Sequence, residues 1–271
     1  MEFPPLPTNH KGVYPFKLCT TSFIYPDHIL PNVKKLGAVV DEIEVLVFES
    51  TPDSLPTAAD IRELAVLSKE FDVSYNIHLP LDISVTADDP VLRRQAVQTM
   101  QCIIDMTAVL SPSTYTLHLP FEETDQTHAT INQWQKRGIQ SLTEILSANV
   151  NARDISIETL DYPFEWAEPV IEVLDTAVCL DLGHLMVYGY DGRKAFEKHV
   201  ARTSIIHLHG VANGKDHLAL DRLSEENVRM VMDFLKRFEG VLSLEVFSYE
   251  KFKTSLEFLS WKMSDYLIKR G

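Results

Sequence analysis

Histidine and carboxylate side chains recur in this sequence directly after short apolar runs. The tripeptide His-Leu-Pro follows such a run twice, at 78–80 and again at 118–120. Imidazole and carboxylate groups together bind Zn, Mn, Fe or Co, whereas an all-oxygen set would indicate Mg or Ca. The residue types therefore predict a divalent metal site. Its candidate ligands and neighbours are Glu49, His78, His118, Glu158, Asp181, His184, His207, His209 and Glu245.

Each of these residues also has a purely structural interpretation. Asp181 could cap the turn before Gly183, Glu158 could pair with an arginine, and His209 could bond to a backbone carbonyl. As a buried set, however, they would cost several kcal/mol for each ionised group left unpaired. Because a bound divalent ion offsets that cost, the metal site is the prediction that accounts for the whole set.

Eight apolar, β-rich runs alternate with amphipathic segments of helical periodicity. In the segment 56–72, for example, Thr57 can cap a helix. Strands joined by helix-length crossovers must be parallel, and eight such units close a barrel. We therefore predict an α/β fold, a single-domain (β/α)8 TIM barrel over residues 16–271, preceded by a short flexible leader over 1–15. The runs lie at 16–23, 42–50, 73–80, 114–120, 154–160, 177–184, 203–210 and 241–248.

A doubly wound open sheet is the alternative fold for this pattern. Its usual nucleotide-binding motifs, GxGxxG and GxxxxGK[ST], are both absent from the sequence. In a barrel, the functional site lies at the mouth formed by the carboxyl ends of the strands. Seven of the eight runs end on a carboxylate or an imidazole, so we expect these groups to converge on one pocket.

Composition narrows the partners of the protein. The net charge of −14 disfavours a nucleic-acid substrate, because the average field of the protein repels phosphate backbones. The three cysteines lack CxxC spacing, which is typical of reduced thiols in a cytoplasmic protein. No apolar stretch approaches the length of a membrane span, so we expect no membrane contact. The oligomeric state is left open.

The series Glu158, Asp181, His207 and Glu245 on successive predicted strands resembles the metal site of the xylose isomerase-like barrel superfamily. That superfamily includes sugar isomerases and epimerases as well as endonuclease IV proteins. The isomerase type is implied to hold one metal with these four ligands and to use the two glutamates as acid and base.

The endonuclease type adds further histidines, which hold a metal cluster that splits a phosphodiester. This chain matches that pattern at His78, His118, His184 and His217. It departs from it at Lys215, which stands where a carboxylate ligand of the third metal would be. The resemblance therefore implies two or three divalent ions per chain, Zn or Mn.

A narrower resemblance is carried by sequence segments spread along the chain. These segments are similar to segments of the cobamide remodelling phosphodiesterases, a branch of the endonuclease-like barrels. Members hydrolyse the nucleotide-loop phosphodiester of a cobamide, releasing an α-riboside and leaving cobinamide phosphate, so the implied partner is a small corrinoid. The segments are FKLCTTSFIYPDHILPNVKKLG, VDEIEVLVFES, YNIHLPLD, YTLHLP, CLDLGHL and IIHLHGVANGKDHLALD.

The resemblance implies a role for each candidate residue. His78 and His118 would hold one metal, and Asp181, His207 and Glu245 another, with Glu158 bridging the two. His184 and His217 would bind a third metal or the phosphate, and His209 would support a metal ligand. Glu49 would orient water or substrate, or form a structural salt bridge. Three rivals remain: a one-metal sugar isomerase or epimerase, an abasic-site endonuclease, and an inert corrinoid-binding or metal-storage protein.

Overall fold

Eight parallel strands form a closed barrel in the computed structural model, which describes residues 4, 6, 8–146 and 150–268, with side chains described through Ser264. Each barrel strand pairs with the next along the chain, and the first pairs with the last. The predicted TIM barrel is therefore confirmed. Its strands are β1 (Lys17–Thr21), β2 (Glu42–Leu46), β3 (Ser74–His78), β4 (Tyr115–Leu117), β5 (Ile155–Glu158), β6 (Ala177–Asp181), β7 (Thr203–Leu208) and β10 (Val241–Leu244).

Helices cover the outside of the barrel. The predicted cap of the second helix is present, since Thr57 and Asp60 form a reciprocal capping box. The amphipathic segment predicted at 56–72 forms this second helix. The helices are α1 (Ile29–Leu36), α2 (Ala58–Phe71), α3 (Pro90–Thr107), α4 (His128–Leu146), α5 (Glu168–Leu174), α6 (Leu182–Val187), α7 (Gly192–His199), α8 (Glu225–Leu235) and α9 (Tyr249–Ile268).

A small antiparallel hairpin is inserted between β7 and α8. It consists of β8 (Gly210–Ala212) and β9 (Lys215–Leu218). Asn213 and Gly214 connect its strands with φ of 55° and 69°, the left-handed backbone that an Asn-Gly hairpin turn requires. The sequence analysis did not predict this hairpin, which brings His217 to the mouth of the barrel.

The interior of the barrel is unusually polar along β2. Glu42 and Glu44 are fully buried and alternate with Ile43 and Val45, which belong to the apolar core. Inside the barrel, the hydroxyl of Ser243 on β10 donates a hydrogen bond to Glu44 at 2.7 Å. Because side chains alternate across a strand, the apolar face of β2 packs on the helices while its acids line the interior.

The expected leader differs from the structure in its second half. His10 and Tyr14 are buried, and the Tyr14 hydroxyl lies 2.9 Å from Oγ of Ser260. The His10 backbone N–H donates to the carbonyl of Val39 at 2.9 Å. This part of the leader therefore packs on the barrel, because its aromatic and imidazole rings find partners there. Residues 1–3, 5 and 7 of the leader lie outside the described residues.

Candidate metal centre

Glu158 lies at the centre of the converging groups. It is the last residue of β5 and is almost fully buried. Its Oε2 lies 3.2 Å from Nε2 of His78 and 2.8 Å from Nε2 of His118. Its Oε1 lies 3.4 Å from Nδ1 of His184 and 3.5 Å from Nδ1 of His207. The two oxygens of one carboxylate thus face two separate sets of imidazoles, as in a bridging ligand.

The first group comprises His78, His118 and Glu158, whose ligand atoms lie within 4.8 Å of one another. Nδ1 of His78 lies 3.0 Å from the carbonyl oxygen of Leu79. A hydrogen bond from Nδ1 to that carbonyl fixes the ring with Nε2 facing Glu158, so that Nε2 donates to this carboxylate without metal and would bind a metal once it has lost its hydrogen. This ring is therefore oriented for metal binding before any metal arrives.

The second group comprises Glu158, Asp181, His207 and Glu245, again within 4.8 Å. One oxygen of Asp181 accepts a hydrogen bond from the His184 backbone at 2.7 Å and caps α6, as one interpretation of the sequence expected. The other oxygen is buried and has no hydrogen-bond partner among the described residues. The same holds for Nδ1 of His207 and Oε2 of Glu245. Buried acceptors left without donors at the meeting point of several carboxylates fit a divalent cation.

A third group lies at the hairpin side and comprises His184, His209 and His217. Nδ1 of His184 lies 3.1 Å from the carbonyl oxygen of Thr159, and Nδ1 of His217 lies 3.1 Å from that of Glu245. Both rings can therefore present Nε2 to a ligand. Neither Lys215, which is exposed, nor Asp216 belongs to a metal-type group among the described residues.

Charge coupling within the centre is strong. Burial alone would lower the pKa of His184, but the carboxylates of Asp181, Glu158 and Glu245 raise it to about 9. Burial opposes ionisation of Glu158, yet His118 and His207 hold its pKa well below the ordinary value. Without metal, a protonated His184 therefore balances part of the carboxylate charge, and a metal that binds this ring must displace its proton.

For two glutamates in and after β2, the structure differs from the prediction. Glu49, a predicted site residue, lies three positions beyond the end of β2, is exposed, and accepts a hydrogen bond from the Ser54 hydroxyl at 3.1 Å. It belongs to no metal-type group among the described residues. Glu44, which the sequence analysis missed, lies with Oε1 2.9 Å from Nε2 of His207. The alternation of acids with apolar residues in Glu-Ile-Glu-Val-Leu was the signal for its inward position.

The centre opens on the side of His118, His184 and His217. His118, His184 and His217 are partly exposed, whereas His78, Asp181 and His207 are buried. A cavity of about 270 Å³ adjoins the open side. Its lining includes His118, Phe121, Glu122, Asp161, His184 and Tyr188.

Comparison with known families identifies the fold. The model of the xylose isomerase-like TIM barrel matches residues 30–261. The chain belongs to that family. No curated protein was found to match the chain. The family is one of enzymes. In barrels of this kind the functional site lies at the mouth formed by the carboxyl ends of the strands.

Solved structures similar to this xylose isomerase-like barrel span different activities. A D-tagatose 3-epimerase-like protein superposes with a TM-score of 0.76 at 17% identity, covering 94% of this chain and 100% of the other. Endonuclease IV from Thermus thermophilus gives 0.70 at 15%, covering 92% and 99%. An IolI protein with a bound zinc atom gives 0.70 at 16%, covering 93% and 99%. At these identities the likeness shows the fold alone.

Proposed function

We propose that this protein is a metal-dependent phosphodiesterase that hydrolyses the nucleotide-loop phosphodiester of cobamides. The observation that carries the proposal is the position of Glu158, whose two oxygens face His78 and His118 on one side and His184 and His207 on the other. A carboxylate shared in this way suits two metal sites rather than one. Two adjacent metal sites are suited to hydrolysing phosphate esters.

The proposed roles of the site residues are as follows. His78 and His118 would hold one divalent ion, Asp181, His207 and Glu245 the other, and Glu158 would bridge them. Such ions, when bound, polarise the phosphate and lower the pKa of water. His184 and His217 face the open side and would contact the phosphate or a third ion. Their Nδ1 atoms lie against backbone carbonyls, so their Nε2 atoms stay aimed at the incoming group.

A one-metal sugar epimerase is the second candidate. The group of Glu158, Asp181, His207 and Glu245 is complete for a single ion, and an epimerase would use the two glutamates for proton transfer. In this chain, however, Nε2 of His78 and Nε2 of His118 both lie against Oε2 of Glu158. A proton-transferring carboxylate needs that oxygen free to face the substrate. The extra imidazoles therefore favour the phosphodiesterase.

Two observations support a cobamide as the substrate. One is the set of sequence segments similar to cobamide remodelling phosphodiesterases, and the other is the surface around the mouth of the barrel. Phe48 and Leu81 follow β2 and β3 and are exposed, and Tyr188 is 50% exposed beside the cavity. The ring of Phe247 lies 5.0 Å from that of His217. Apolar side chains beside a single phosphate site suit a bulky corrinoid better than an extended polyanion. The net charge of −14 agrees with this choice.

The test is incubation of the metal-loaded protein with a complete cobamide, with chromatography and mass detection of the products. We expect cobinamide phosphate and a free α-riboside, and no incision of abasic duplex DNA assayed in parallel. A Glu158→Ala preparation controls for contaminating hydrolases. Incision of abasic DNA without cobamide cleavage would overturn the substrate assignment, and ketose epimerisation without either hydrolysis would overturn the mechanism.

A further inference from the structure

His209 occupies a position between two parts of the metal centre. It follows β7 directly, and its side chain is fully buried. Nε2 of His209 lies 3.3 Å from Oδ1 of Asp181 in the second group. Nδ1 of the same ring accepts a hydrogen bond from the backbone N–H of His217 at 3.0 Å. One imidazole therefore touches a carboxylate of one group and the backbone that carries a ligand of another.

The hydrogen bond from His217 decides which nitrogen of His209 carries hydrogen. Because Nδ1 accepts, its lone pair is engaged, and the hydrogen of the neutral ring is on Nε2. Nε2 contacts Oδ1 of Asp181 at 3.3 Å, although the geometry of this contact is not that of a hydrogen bond. Nitrogen atoms of His184, His209 and His217 lie close enough for a shared ion, but a nitrogen that bears hydrogen is no ligand. The contacts of His209 thus favour support of other ligands over metal binding.

We propose that His209 is a positioning residue that couples the Asp181 side of the centre to the hairpin that presents His217. Through Nε2 it orients the carboxylate of Asp181, and through Nδ1 it holds the backbone of His217. The inference concerns metal binding alone, so it stands apart from the proposed phosphodiesterase activity.

The backbone around His209 leaves room for this ring and little else. A Cβ at Gly183 would lie 2.0 Å from Cε1 and 2.3 Å from Nε2 of His209, so only glycine permits the ring to lie there. His217 has a φ of 46°, a left-handed conformation that a residue with a side chain rarely adopts. In that conformation its backbone N–H donates to Nδ1 of His209 at 3.0 Å.

Two conservative variants separate the two contacts. In His209→Gln the side-chain amide can reach Asp181 as a donor, whereas in His209→Asn the shorter amide oxygen can accept from His217. Co²⁺ titrations with a competing chelator, followed by visible absorption, would resolve the successive binding steps. We expect His209→Ala to weaken the steps that involve Asp181 and His217 by about 10- to 100-fold, the usual effect of losing a group that orients a ligand.

The variants that keep one contact each give a sharper expectation. His209→Gln should restore the binding step that involves Asp181, and His209→Asn should restore the binding step that involves His217. The step that involves His217 is identified as the one that is weakened in His217→Ala. The step that involves His78 and His118 should stay within about threefold of the unmodified protein throughout. His199→Ala is the matched control, because it removes another buried imidazole, hydrogen-bonded to Glu168, outside the centre.

Gly183→Ala provides a test that keeps the imidazole. The added methyl group displaces the ring, so metal affinity should fall as in His209→Ala. In the double variant the methyl group has space, and the two losses should not add. Melting of the metal-free variants reports folding separately.

Three outcomes would overturn the proposal. The first is unchanged affinity at every step in folded His209→Ala. The second is loss of only the last step in the Ala, Gln and Asn variants alike, which would make His209 a metal ligand. The third is additive losses for Gly183→Ala and His209→Ala. If the single His209 variants fail to fold, unchanged metal affinity in folded Gly183→Ala would overturn the proposal instead.

Discussion

Oε1 of Glu44 lies 2.9 Å from Nε2 of His207, and both side chains are fully buried inside the barrel. The other nitrogen of the imidazole faces Glu158 and Glu245, at 3.5 and 3.4 Å. The Ser243 hydroxyl fixes the second oxygen of Glu44 at 2.7 Å. A carboxylate behind a metal-binding imidazole orients the ring and increases its basicity. Glu44 therefore occupies the position of such a supporting carboxylate.

Glu44→Gln should weaken metal binding by about 10- to 100-fold, because the amide keeps the shape but removes the negative charge behind His207. The measurement is competition for Zn²⁺ with a chelator of known affinity. Glu42→Gln is a matched control, since Glu42 is an equally buried acid on the same strand that binds Asn76 at 2.8 Å instead of the centre. Equal affinities of the two variants would contradict the role given to Glu44.

His78→Ala and His118→Ala should each remove part of the bound metal and lower turnover by orders of magnitude. Both imidazoles approach one oxygen of Glu158, whereas the group of Glu158, Asp181, His207 and Glu245 does not depend on them. Elemental analysis of the purified variants would therefore find the second group still loaded. Full metal content together with full turnover in both variants would assign the His-Leu-Pro pair a structural role and favour the epimerase.

Removal of metal should lower the melting temperature. An ion that binds only the folded state stabilises it by about 2.7 kcal/mol when present at about 100 times its dissociation constant. For a protein of this size that corresponds to roughly 5–10 °C. Thermal scans before and after strong chelation, and after readdition of Zn²⁺ or Mn²⁺, would measure the effect. A fully active protein with no bound metal would refute the metal-centre interpretation.

The metal-free protein should lose stability as the pH rises. Although burial lowers the pKa of His184, the neighbouring carboxylates raise it from 6.5 to about 9. A group with a raised folded pKa contributes stability that is complete below about 6.5 and lost as the pH passes through about 9. The free energy of unfolding should fall in this window, by on the order of 3 kcal/mol for His184 if the full shift applies.

Urea unfolding in excess chelator at several pH values would measure that change. His184→Gln should flatten the dependence, because the amide does not titrate. Stability that stays constant or rises between these pH values would contradict the charge coupling described for the centre.

The sequence by itself determined the barrel and most of the converging groups. Apolar runs separated by helix-length segments leave parallel strands with crossovers as the consistent arrangement, and eight such units close on themselves. Residues such as Glu158 and Asp181 could be placed because they lie where a strand ends. Glu49 followed the same rule, but β2 ends at Leu46, so the chain has already turned outward at Glu49.

Only the tertiary structure decided which groups face one another. Glu44 meets His207 across the barrel, a contact between strands far apart in the chain that no local pattern specifies. His217 reaches the mouth because an Asn-Gly turn folds a hairpin back over β7. The hydrogen of His209 is placed by a backbone N–H of that hairpin. Residue type sets which ligands are available, whereas distance and hydrogen-bond direction, which arise only on folding, set what each one does.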